Sequence, residues 1–213
     1  MKVLVIGANG KTGRQLVGLL GESASHRVRA MVRDEEQVPA LQDQGAEVVV
    51  ADLEQDFSHA FDGIEAVIFA AGSGAHTGPE KTESVDYQGA VRSVEEAEKH
   101  GVDRYIMLSS IAADDPDRGP SAIRHYLRAK GKADERLQHS RLNYTVVRPG
   151  GLSNDPPQGK IEAAERITDL SRRISRADVA AVLAACLDIE NTSRRTFEIL
   201  AGETPIEEAL QTV

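Results

Sequence analysis

The chain has 213 residues, 40% of them hydrophobic and 28% charged, with a formal net charge of -9 and an isoelectric point near 5.2. That length fits one domain whose core needs no covalent staple, and the single cysteine, Cys186, excludes a disulfide framework or a cysteine zinc site. The acidic balance argues against nucleic acid or an anionic membrane as partner, and 4% aromatics with no Trp leaves little for base stacking.

The opening apolar run, Val3–Ile6, is too short for a secretory leader. No stretch reaches the roughly 20 apolar residues of a membrane span. A cytoplasmic protein is expected, as a monomer or a small homo-oligomer, acting on a small-molecule substrate.

Val3–Ile6 reads as a first buried strand. Thr12–Gly21 follows as a helix, with Leu16, Val17, Leu19 and Leu20 on one stripe. Val28–Val32, Val48–Val50 and Ala66–Ala70 are the next strands, with a helix over Glu35–Gln44 between the first two of these. Glu80–Gly101 reads as one long helix, with Val85, Val91 and Val94 inward and a glycine stop. Then come the strand Arg104–Leu108, the helix Ser121–Arg141, the strand Thr145–Val147 and the helix Ala177–Asp188. The strand Thr196–Leu200 and a short helix over Pro205–Leu210 close the chain. This β-α-β alternation predicts an α/β fold, a doubly wound parallel sheet with helices on both faces in three layers. Residues 1–150 are expected to form the core, and 151–213 a small substrate-side segment that is mostly irregular over 151–176.

Gly7-Ala8-Asn9-Gly10-Lys11-Thr12-Gly13 joins the first strand to the first helix. In such a turn Gly7 permits the tight bend, Gly10 lets the backbone approach a pyrophosphate, and Gly13 lets helix and strand pack closely. The N–H groups and positive end of the helix then hold phosphates. This is the glycine pattern of a Rossmann-like dinucleotide site.

The end of the second strand selects the dinucleotide. An NAD-selective site places an acid there for the ribose hydroxyls; here Val32 is followed by Arg33 and then Asp34. The planar fork of Arg33 can grip a 2′-phosphate, and Lys11 can add charge from the loop. NADP(H) is therefore favoured over NAD(H). The competing reading is a solvated Arg33 paired with Asp34. Asp52 and Leu53, after the third strand, suit an adenine amino group and ring face, although Asp52 is equally suited to capping a helix. Ala70, Ala71 and Gly72, after the fourth, are small enough to let a cofactor lie on the backbone.

The fifth strand ends in Ser109-Ser110, and Tyr126 and Lys130 follow on the next predicted helix at i, i+4, on one face. A nearby ammonium favours tyrosinate and is expected to lower the phenol pKa. Serine, tyrosine and lysine together can protonate a carbonyl oxygen while a nicotinamide supplies hydride. The bland alternative is a surface tyrosine beside a lysine that serves only the ribose. No histidine pair has metal spacing, so no metal site is expected.

With these pieces together the chain resembles the short-chain dehydrogenase/reductase superfamily. More narrowly it is similar to its atypical NAD(P)H-binding group, related to NAD-dependent epimerases/dehydratases. The resemblance rests on Gly7–Gly13, Val32-Arg33-Asp34, Ala51-Asp52-Leu53, Ala70-Ala71-Gly72, Ser109-Ser110, Tyr126 to Lys130, Val147-Arg148-Pro149-Gly150 and Ile174-Ser175-Arg176-Ala177-Asp178-Val179. It implies cofactor contacts from Gly7, Asn9, Gly10, Lys11, Thr12, Gly13, Arg33, Asp52, Leu53, Ala70, Ala71, Gly72, Ser109, Lys130 and Pro149. It also implies Ser110 as the catalytic serine, Tyr126 as acid/base, and Lys130 as ribose binder and pKa modulator. The chain also resembles the biliverdin/flavin reductases of the superfamily, which lack the tyrosine mechanism.

Only about 60 residues follow the sixth strand, too few for a nucleotide-sugar domain. The expected activity is NADPH-dependent reduction of a small carbonyl, quinone or flavin-like acceptor. The alternatives are a redox-sensing binding protein of the NmrA type without turnover, and an epimerase/dehydratase-type isomerisation. Residues within Gly72–Lys81, Ala112–Arg124 and Gly151–Arg173 are expected to choose the acceptor.

Overall fold

The computed structural model describes residues 1–74 and 78–213. Residues 75–77, part of the Gly72–Lys81 segment expected to shape the acceptor site, lie outside the described residues.

The first half alternates strand and helix as the sequence predicts: β1 (Lys2–Ile6), α1 (Lys11–Gly21), β2 (Arg27–Val32), α2 (Val38–Gln42), β3 (Glu47–Val50) and β4 (Ala66–Phe69). After β4 come α3 (Pro79–Lys81), α4 (Ala90–Lys99), β5 (Arg104–Leu108), α5 (Arg124–Gln138) and β6 (Asn143–Pro149). The remainder holds β7 (Gly151–Ser153), β8 (Lys160–Ala164), β9 (Arg173–Ser175), α6 (Arg176–Ala185), β10 (Arg195–Ala201), β11 (Thr204–Pro205) and α7 (Ile206–Leu210).

The main sheet runs β11-β8-β10-β6-β5-β4-β1-β2-β3. The seven strands from β10 to β3 are mutually parallel. Order reverses between β1 and β4, which opens a crevice at the carboxyl ends of those strands. Alternating side chains of β1 divide the core. Val3 and Val5 join Leu16, Val17 and Leu20 of α1 and Val179, Val182 and Leu183 of α6. Leu4 and Ile6 join Val94 of α4 and Ala133 and Leu137 of α5 on the other face. The result is the three-layer, doubly wound Rossmann-like arrangement.

Two expectations need correction. The stretch 151–176 is not irregular. It supplies β7 and β9, which pair with each other, and β8, which pairs antiparallel with β10 and β11. Pro156, Pro157 and Gly159 lie between β7 and β8, and β8 has too little apolar alternation to stand out. Residues 151–213 thus build the sheet's far side, through β10, as well as lying near the site.

Glu80–Gly101 is not one uniform α-helix either. Thr82–Gly89 is π-helical, with Asp86 fully buried inside it. A π-helical turn holds one extra residue per turn and is a frequent device at functional sites; hydrophobic spacing does not reveal it. Gly101, with φ +66°, ends this helix as the glycine stop predicts.

The Ile174–Asp178 segment has a structural role. Ser175 caps α6, its Oγ accepting from the Asp178 N–H at 2.9 Å. Asp178 accepts the Ser175 hydroxyl at 2.7 Å and the Gly159 N–H at 2.8 Å, tying the start of β8 to the helix.

Candidate cofactor and active site

β1 delivers Gly7 into the crevice at φ +84°, a left-handed conformation that suits glycine. A Cβ there would lie 2.5 Å from the Ala71 backbone, so the β1 and β4 turns touch main chain to main chain. A Cβ on Gly13 would collide with the Gly7 carbonyl oxygen. The three small residues after β4 and the glycine turn are therefore one packed unit. Above it the first N–H groups of α1, at Lys11, Thr12 and Gly13, have no carbonyl inside the helix to bond. That is the cradle a pyrophosphate requires.

Gly7→Ala combines a left-handed backbone penalty with a main-chain collision. It is expected to cost about 3 kcal/mol of stability and to abolish cofactor binding. Denaturant unfolding with and without NADPH measures both; wild-type stability in the variant would contradict this packing.

A cavity of about 360 Å³ covers the crevice. Its walls include Gly7, Asn9, Gly10, Arg33, Asp52, Leu53, Ala70, Ala71 and Gly72, nine of the residues named from sequence, now in one place. Lys11 is exposed and is not among the residues that line the cavity. Thr12 is buried beneath the turn. Asp52 Oδ1 accepts the Glu54 N–H at 2.9 Å, which stiffens the turn after β3. Leu53 is buried and packs with Met31.

The cations at this cavity differ in their commitments. Lys81, a wall residue missed from sequence, is paired with Glu54. Arg33 makes no ion pair among the described residues, and Asp34, its supposed partner, instead accepts from Gln37 at 2.6 Å. Arg14, also missed, holds Asn9 through Nε to Oδ1 at 2.9 Å and fixes the glycine turn from outside. An arginine one turn into a helix has no distinguishing sequence signal.

The serines, Tyr126, Lys130 and Pro149 lie beyond this cavity. Ser109 is buried, and its hydroxyl donates to Asp134 Oδ2 at 2.8 Å. Arg148 Nε donates to the same oxygen at 3.0 Å, and its Nη1 lies 3.3 Å from Asp114. Asp134 follows Lys130 by four residues on α5, so one helix face carries Tyr126, Lys130 and Asp134. Ser110 is half-buried, and its hydroxyl donates to the Ile111 carbonyl at 3.1 Å. Tyr126 packs against Ile111, Ala112, Leu127, Ile167 and Leu200. Pro149 ends β6 and is buried. Asp134 and Asp86 were not foreseen, because acidic residues within charged helical stretches read as solvent-facing.

Burial dominates the electrostatics here. It pushes the Tyr126 phenol above its ordinary value, and the negative charges of Asp86 and Asp134 add to the shift. The expected lowering of this phenol by Lys130 is therefore reversed. Burial also pushes Lys130 below its ordinary value, opposed by Asp86 and Asp134. Its ammonium stands 5.5 Å from the Phe69 ring centre. Burial raises Asp134 in turn, against the pull of Arg148, Ser109 and Lys130.

Farther along the sheet, buried Glu198 of β10 receives Arg118 at 2.9 Å and the Ile167 N–H at 2.6 Å. One carboxylate thus anchors both the 112–124 and the 165–170 segments beside Tyr126. Among the described residues no group of acidic, histidine or cysteine side chains has the arrangement of a metal site. No helix among them is long and apolar enough to cross a membrane.

Comparison with known proteins agrees with this geometry. Residues 7–190 match the model of the NAD(P)H-binding family. An uncharacterised sugar epimerase of Bacillus subtilis, YhfK, is 46% identical over 215 residues, covering 99% of both chains. A Bacillus halodurans structure, provisionally assigned as an NAD-dependent epimerase/dehydratase, is 50% identical, with a TM-score of 0.97 and full coverage of both chains. The oxidoreductase ylbE of Lactococcus lactis is 28% identical with a TM-score of 0.89, covering all of this chain and 96% of the other. With a matched model spanning most of its length, and with the glycine cradle and small-residue crevice in place, this chain belongs to the NAD(P)H-binding family.

Proposed function

We propose that the protein is an NADPH-dependent reductase of a small carbonyl, quinone or flavin-like acceptor. The observation that carries this reading is one crevice with a glycine cradle and an uncommitted Arg33, together with a helix face of α5, beyond that cavity, that bears half-buried Tyr126 and buried Lys130. When bound, the nicotinamide supplies hydride. Every other role falls to the chain.

Arg33 holds the 2′-phosphate. The α1 N-terminus holds the pyrophosphate. Lys130 holds the nearby ribose and balances charge at Tyr126. Tyr126 keeps its proton through the neutral range, because burial and two carboxylates raise its pKa. It therefore serves as the proton donor, from Oη to the acceptor oxygen. Ser109 spends its hydroxyl on Asp134. Ser110, less buried and bonded only to a neighbouring carbonyl, is the serine that orients the acceptor.

The epimerase wording attached to two relatives favours a second reading, isomerisation with the cofactor regenerated in each cycle. Net oxidation of NADPH by an added acceptor separates the two, since a reductase consumes cofactor and an isomerase does not.

A further inference from the structure

Arg33 and Lys81 both line the crevice, and Glu54 follows directly on the wall residue Leu53. Lys81 Nζ lies 2.5 Å from Glu54 Oε2, which ties α3 to the turn after β3. The two side chains are 50% and 28% exposed, and an ion pair so open to water contributes little to stability. Its charges matter more for where they stand. They border a cavity with the glycine cradle of a polyanion site, and a 2′-phosphate adds a charge of about -1.5 to -2 at the Arg33 end.

Glu54 is the carboxylate in position to act on both wall cations. Its backbone N–H is held by Asp52, which roots it at the rim of the crevice. Asp34, the acid next to Arg33 in sequence, is engaged by Gln37 instead. The Lys81 ammonium and then the Ser84 hydroxyl hold the Glu54 carboxyl below its ordinary range, and Arg33 adds an attraction from farther off. Coulomb attraction is mutual. Whatever Arg33 gives to Glu54, Glu54 takes from the field that Arg33 presents to a phosphate.

We propose that Glu54 is a specificity-determining residue that limits the preference for NADPH. Its carboxylate occupies Lys81 and offsets part of the charge of Arg33, so a 2′-phosphate meets one free cation where two line the wall. Lys81 in turn holds that carboxylate out of contact with Arg33. The inference rests on the cofactor reading above.

Calorimetric titration of NADPH and NADH into wild type, Glu54→Gln and Lys81→Met tests it. The expected result for Glu54→Gln is NADPH binding tightened by about three- to tenfold, with NADH changed by less than about twofold. Lys81→Met is expected to act in the opposite direction, weakening NADPH more than NADH, because the released carboxylate then competes for Arg33. Both effects shrink when salt is raised from about 0.05 to about 0.5 M, since these charges face water. Both substitutions break the same ion pair, so a pair that served only as a strut would move affinity the same way in each. Shifts of the same sign, equal changes for the two cofactors, or no change in Glu54→Gln overturn the proposal and leave the cofactor reading standing. A wild-type chain that binds neither cofactor, or NADH alone, overturns both.

Discussion

Arg33→Ala raises the NADPH dissociation constant roughly tenfold to a hundredfold and leaves that of NADH within about twofold. The asymmetry follows from what Arg33 does in the free protein. It lies on the wall of the crevice, exposed, with no ion pair among the described residues, while Asp34 is engaged by Gln37. No native interaction has to break before it meets a phosphate. NADH has no 2′-phosphate, so its loss on truncation is small. Lys81 does not substitute, because Glu54 already holds it. Paired titrations of both cofactors with both proteins check the prediction. Equal losses would mean that Arg33 serves a part common to the two cofactors, and the preference for NADPH would fall.

Tyr126→Phe lowers turnover by roughly two to four orders of magnitude, the range for loss of a general acid, and leaves NADPH affinity unchanged. The second half follows because Tyr126 lies outside the walls of the cofactor cavity. Removing the hydroxyl leaves the ring's packing against Leu127, Ile167 and Leu200 in place, so the variant is expected to fold. The pH profile of the wild type adds an independent check. Tyr126 has its pKa raised above the ordinary 10.0 and holds its donor proton across the neutral range. Lys130 has its pKa lowered below the ordinary 10.5 and loses its charge first. The rate therefore falls on the alkaline side with the lysine, before the tyrosine titrates. Full activity in Tyr126→Phe would remove the tyrosine from the mechanism.

The glycine turn was legible because its function is written in backbone. Gly7 and Gly13 are where a Cβ cannot fit, and a residue type states that directly. The strand cores were legible for a related reason: a parallel strand buried on both faces must be apolar throughout. β4 follows this, as does β1 after Lys2, whereas β2 after Arg27 and β5 are apolar apart from the buried Arg29 and Arg104; the predicted ends of all four stand within a residue of the observed ones.

The polar interior was not legible. Asp86, Asp134, Arg148 and Glu198 occur in charged or mixed surroundings, and burial of a charge is a property of its three-dimensional neighbours. Nothing in the i, i+4 spacing of Tyr126 and Lys130 indicates that two carboxylates share their space. The sign of the Tyr126 shift was accordingly misjudged from the lysine alone. β8 is not evident in the sequence because it lies next to the edge of the sheet, between β10 and the two-residue β11, and Lys160–Ala164 contributes a single buried residue, Ile161. Its partner β10 reads clearly, since Phe197, Ile199 and Leu200 are all buried.

The central claim is that this chain turns over NADPH. The most direct test is cofactor absorbance over time, with purified protein, NADPH and a panel of small carbonyls, quinones and flavins, each product quantified. The account predicts net NADPH oxidation matched by an equal amount of reduced acceptor, abolished in Tyr126→Phe. Tight NADPH binding with no oxidation by any acceptor, or conversion of a substrate without net cofactor loss, would contradict it.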